Sequence, residues 1–212
     1  MAENHPLFNE KIFVKKMWGK MSLFVDKKPN WITCISDAEL RDAAIQEIIS
    51  FYLIHTPVEE LSSMSIPLSE YGWLKPWRKP VYLNKQLKAA ASTYELLFSA
   101  DTYDKLGDAI NESEEASDFP TSLDIEYIVF YDCKKNQFIS VFYHIRNALA
   151  HGRFRICNDS DGNRVVVMED VVKMSNNSTC KLSARMVIRV NTLLAWISII
   201  KAGEKKYIRR VW

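Results

Sequence analysis

A chain of 212 residues, 48% of them apolar, can bury a core without help from metal or disulfides, and its length favours one domain. A net charge of +2 and a pI near 8.3 exclude a stoichiometric coat for nucleic acid but leave room for a local basic cleft. Four scattered cysteines (Cys34, Cys133, Cys157, Cys180), with no Cys-x-x-Cys and no histidine at zinc-finger spacing, argue against structural zinc and a disulfide framework.

The N-terminal stretch MAENHPLFNEK is polar, with no apolar run of the secretory kind. Residues 8–26 set Phe13, Met17, Met21 and Phe24 at helical spacing between lysines, which predicts an amphipathic helix. Ser36 and Glu39 form a capping box that opens a helix over 37–55, carrying Leu40, Ala44, Ile48 and Phe51 inward. Thr56-Pro57 ends it, because a residue before proline avoids the helical region. Residues 57–80 hold Pro57, Pro67, Pro76 and Pro80 with Tyr71, Trp73 and Trp77. They read as an ordered loop pinned by its rings, the alternative being a platform on which bases stack.

Helix is predicted again over 82–99 and, more briefly, 102–110. The acidic segment 111–120 is a solvated linker and a poor place for RNA to lie. IEYIVFY, residues 125–131, is apolar on both faces and reads as a short buried strand. Residues 136–151 form a helix. Two β-rich runs, 153–157 and 164–169, are joined by the turn-formers NDSDGN into a hairpin. Residues 182–202 read as a closing helix with Met186, Val190, Leu193, Ile197 and Ile200 on one stripe. The basic tail with Lys205, Lys206, Arg209 and Arg210 reads as a solvated end. The apolar stretch 186–200 is short of a membrane span and carries Arg189 and Asn191, so no membrane partner and a cytoplasmic location are expected. The expected fold is all-α: one domain over residues 1–212, a bundle of four to five main helices with a small β-hairpin near 153–169.

The segment QFISVFYHIRNALAHGRF, residues 137–154, carries the chemistry. On a helical wheel Phe138, Phe142, Ile145 and Leu149 fall within about 60° and form a core stripe. A second face runs from Arg146 past Ile139, Ala150, Tyr143 and Asn147 to His151, with Arg146 and His151 about 140° apart. It mixes apolar, small and polar side chains, as expected where another helix packs. The same helix from a second subunit would bring two Arg–Asn–His sets into one cleft. His144 falls on neither face and is expected at solvent, and His5 and His55 show no partners.

These three residue types suit cleavage of RNA by its own 2′-hydroxyl. Histidine moves protons near neutral pH, a guanidinium clasps the phosphate, and an amide orients either. Arg five to seven residues before His arises by chance about 0.6 times in a chain of this composition, so the motif counts only in context. Here Asn147 follows the arginine directly, and Gly152 suits the position just past a helix end. The plainer readings are a C-terminal histidine opposite the helix dipole for His151 and a structural ion pair for Arg146. Arg153 and Arg155 are candidates to draw phosphate into the cleft, against a plain solvated strand face. Tyr143 is a candidate to touch RNA or the second subunit.

At these residues the chain resembles the HEPN superfamily, whose hallmark is Arg and His separated by four to six residues, with a polar residue after the Arg. RNALAH, Arg146 to His151, fits with four intervening residues, and IRNALAHGRF with a following hairpin and last helix is similar to a subgroup common on bacterial plasmids and mobile elements. The resemblance spans roughly residues 136–202. It implies a helical bundle, a homodimer through the motif helix, and an endoribonuclease needing no metal or cofactor, in a toxin or phage-defence role. Arg146 and His151 would be catalytic and Asn147 supportive. RNA is the implied substrate, and an antitoxin or regulator protein a further partner. Arg153 stands where toxins silenced by a nucleotidyltransferase carry tyrosine, which speaks against that silencing. The alternative is a non-catalytic HEPN-fold module that binds nucleotide, RNA or protein.

Overall fold

The structure, a computed structural model, describes residues 23–32, 35–79, 82–91, 97–109, 119–120, 123–134, 136–174 and 179–204. Most of the expected N-terminal helix, most of the acidic linker, His5, Cys34 and the basic tail lie outside the described residues.

The architecture is not an all-α bundle. Six strands form one mixed sheet in the order β2-β3-β6-β5-β4, with β1 also pairing along β6. The strands are β1 (Phe24–Asp26), β2 (Leu97–Ala100), β3 (Tyr127–Tyr131), β4 (Phe154–Asn158), β5 (Arg164–Lys173) and β6 (Thr179–Arg189). All neighbours are antiparallel except β2 and β3. That parallel pair requires a crossover, and α4 (Tyr103–Ala109) lies within it. The sheet has a core on each face. Ile128, Phe130, Val166, Met168, Met186 and Ile188 pack under helices on one side. Tyr127, Val129, Val165, Val167 and Val187 meet Leu23, Val25, Trp31 and Leu106 on the other.

The largest departure from the sequence-based expectation is β6. Residues 182–188 are all buried, yet Leu182, Ala184, Met186 and Ile188 alternate with Ser183 and Arg185, a period-two pattern masked by the helical spacing of Met186, Val190 and Leu193 that runs across the join. The closing helix α6 (Val190–Ala202) starts only after Arg189, whose own N–H donates to Glu126 Oε1 at 2.7 Å. Helix 37–55 is likewise divided. Asp42 is extended and its carboxylate takes the N–H groups of Ala44 and Ile45, so α1 (Asp37–Arg41) stops and α2 (Ala43–Ile49) restarts. A π-helical turn, Ser50–Ile54, closes it with the His55 N–H on Ser50 O. Helix 82–99 is shortened to α3 (Leu83–Ala90), and Leu97 opens β2 instead. Phe24, expected on the first helix, lies in β1.

The motif helix is α5 (Gln137–Ala150), capped by Asn136, whose Oδ1 accepts from the N–H groups of Phe138 and Ile139. Its stripe Phe138, Phe142, Ile145 and Leu149 is buried, as the wheel predicts. The hairpin is β4–β5 with a turn over 159–163. Three aromatic tips lock the helix layer. Tyr52 Oη donates to Leu193 O, Trp73 Nε1 to Ile200 O and Trp196 Nε1 to Leu87 O, at 2.8 to 3.0 Å. Among the described residues no helix is long and apolar enough to cross a membrane.

Candidate active site

β5 carries Glu169 and Asp170 side by side in the run VVVMEDVV, and both are buried. Successive side chains on a strand point to opposite faces, so each carboxylate needs its own cation on its own side of the sheet. Glu169 meets Arg185 and Arg153. Arg185 Nε reaches Oε1 at 2.6 Å, and Arg153 Nη2 reaches Oε2 at 2.6 Å. Asp170 faces α5, where His144 Nδ1 approaches its Oδ2 at 2.7 Å and Asn147 Nδ2 at 3.2 Å.

This corrects two expectations. His144 is 1% exposed rather than solvent-facing, because it pairs with a carboxylate 26 residues further along the chain. Its other ring nitrogen, Nε2, lies 2.7 Å from the Tyr131 carbonyl and 3.9 Å from Cys133 Sγ. Burial works against the charged ring, but the Asp170 hydrogen bond, followed by Cys133, the Asp170 charge and the Tyr131 carbonyl, outweighs it and raises the pKa to about 9. Both nitrogens face acceptors, so His144 is an imidazolium at neutral pH.

Arg153 is the second correction. It is 5% exposed and its guanidinium is spent on the protein, with Nη1 on the carbonyls of Asp26 and Lys27 as well as Nη2 on Glu169. It clips β1 to the sheet and is turned away from solvent. Arg155 is half-buried with its guanidinium 5.5 Å from the Phe119 ring centre. Tyr143 is half-buried and Lys134, itself exposed, lies over its ring at 4.8 Å.

The remaining motif residues gather at the C-terminal end of α5. Arg146 and Asn147 are half-buried, and Ala150 and His151 are exposed. Arg146 Nη1 donates to Asn147 Oδ1 at 3.3 Å, and its Nε is buried with no partner among the described residues. The helix ends in a Schellman arrangement: Gly152 N–H donates to Leu149 O and Arg153 N–H to Ala148 O. Gly152 takes a φ of +64°, which glycine adopts without strain. His151 therefore sits at the helix cap with its ring free of any hydrogen bond among the described residues. Among those residues no three or more His, Cys, Asp or Glu side chains gather to hold a metal ion.

No protein-family model, curated protein or solved structure matches this chain.

The sequence reading brought out Arg146, Asn147, His151 and Tyr143 but missed Asp170, His144 and Lys134. The signal for Asp170 was present: two adjacent carboxylates inside an apolar strand announce two buried partners on opposite faces.

Proposed function

We propose that this protein is an endoribonuclease that works as a homodimer, with Arg146 and His151 as catalytic residues and Asn147 in support. The observation that carries the reading is an exposed histidine five residues beyond a half-buried arginine whose single hydrogen bond among the described residues is to its neighbouring amide. Such a guanidinium has donors left over for a phosphate, and such a histidine is open to exchange protons with substrate and water. The RNALAHG string, similar to the HEPN signature, points to the same chemistry.

In the reaction, the ribose 2′-oxygen attacks the adjacent phosphorus while one His151 takes the hydroxyl proton. The bond from phosphorus to the 5′-oxygen breaks, and the leaving oxygen takes a proton from the second subunit's copy of that histidine. Arg146 binds the phosphate oxygens as charge grows on them. The products are a 2′,3′-cyclic phosphate and a 5′-hydroxyl. None of these steps requires a metal. The half-open face of Ile139, Tyr143 and Ala150 beside the motif supports pairing of α5 with its copy about a two-fold axis, and Lys134 adds positive charge at the rim. A toxin or phage-defence role, held in check by an antitoxin or regulator, fits this activity.

The test is RNA cleavage by wild type, Arg146→Ala and His151→Ala in EDTA. Cutting by the wild type alone supports the enzyme. Retention of RNA without cutting by any of the three replaces it with a binding module.

A further inference from the structure

We infer that Asp170 is a positioning residue for Arg146: through the Asn147 amide it holds the guanidinium in place, while His144 cancels its charge and leaves that of Arg146 for RNA. This rests on the endoribonuclease reading and adds to it a residue on another element, β5.

A buried carboxylate only accepts, so Asn147 must turn its NH2 to Asp170 Oδ2, as it does at 3.2 Å. Its carbonyl is then forced the other way, and there Arg146 Nη1 meets it at 3.3 Å. One carboxylate thus fixes which end of the amide Arg146 finds. Asp170 and His144 are 6% and 1% exposed, so water does little to screen the carboxylate. With both ring nitrogens on acceptors, His144 is cationic and the pair is neutral overall. An unpaired Asp170 in this place would instead draw on the nearest guanidinium, and Arg146 would lose charge toward phosphate.

A stability role explains the arrangement less well. A buried ion pair between a helix and a sheet is commonly no more stabilising than apolar side chains of the same volume. What apolar residues could not do is orient Asn147.

The experiment follows Arg146 directly. Side-chain 1H–15N signals of Arg146 and Asn147 are compared in wild type, Asp170→Asn and Asn147→Ala, with cleavage kinetics on one oligoribonucleotide. Expected are a shift of the Arg146 Nε–H signal toward that of a free arginine in both variants and a fall in kcat of roughly 10- to 100-fold at near-constant KM. The double variant should lose no more than the worse single one, as for two members of one chain of contacts. Unchanged Arg146 signals, or wild-type kcat in a folded variant, overturn the inference. If Asp170→Asn does not fold, Asn147→Ala, on the half-buried face, decides alone. If the wild type cuts no RNA, the enzyme reading fails, and the Arg146 signals still decide whether Asp170 holds it.

Discussion

Raising the pH should unlock the contact between α5 and β5, because it removes the proton that His144 needs to face two acceptors. The ring is faced by Asp170 from β5, by the Tyr131 carbonyl and Cys133 at the end of β3, and by the Phe130 and Tyr143 rings. Its pKa is raised from 6.5 to about 9 in the folded chain. A group raised on folding adds stability that is complete below the unfolded value and is lost as pH climbs through the folded one. The gap, at roughly 1.4 kcal/mol per pH unit, is worth about 3 kcal/mol. The window therefore opens near pH 6.5 and closes just above 9. Urea unfolding of wild type and His144→Gln across pH 6 to 9.5 measures it, in a Cys133→Ser background that removes the thiol beside Nε2. The advantage of wild type over variant should shrink by about 3 kcal/mol as pH rises. An advantage that stays constant over the whole range would refute the imidazolium assignment.

Three further outcomes follow from the same contacts. Glu169→Ala leaves the Arg153 and Arg185 guanidinium groups buried without their shared carboxylate, and urea unfolding should show a loss of about 3–5 kcal/mol. Gly152→Ala meets no atom within 4 Å but must hold a φ of +64°. It should cost about 1–2 kcal/mol in the same assay, with Gly152→Asn costing less. His151→Ala removes an exposed ring with no hydrogen bond among the described residues, so its stability in urea unfolding should stay within about 0.5 kcal/mol of the wild type.

The parts legible in the sequence were those set by neighbours along the chain. The Ser36–Glu39 capping box, the α5 stripe, the glycine stop at Gly152 and the β4–β5 turn all follow from residues a few positions apart, and β3 from its short β-branched run, although its partners β2 and β6 lie far along the chain. The sheet was lost where local rules run out. Along β6 both faces are covered, so Ser183 and Arg185 are buried together with the apolar residues they alternate with, and the strand passes into α6 with no side-chain cap to mark the join. The site divides in the same way. Arg146, Asn147 and His151 lie near the C-terminal end of α5 because they are neighbours along the chain, with Arg146 and His151 about 140° apart around the axis. Asp170 reaches them only because β5 runs beneath α5, and a wheel drawn for α5 alone leaves His144 without a reason to be buried. Arg153 was misplaced for the same cause, its partners being Glu169 and two carbonyls at the end of β1.

Metal-free attack by the ribose 2′-hydroxyl, as proposed, is tested most directly by the chemistry of the ends left on RNA cut in EDTA by the purified protein. Mass spectrometry of the fragments should find 2′,3′-cyclic phosphate and 5′-hydroxyl ends with wild type and none with His151→Ala. Ends carrying 3′-hydroxyl and 5′-phosphate, or equal cutting by His151→Ala, would contradict it.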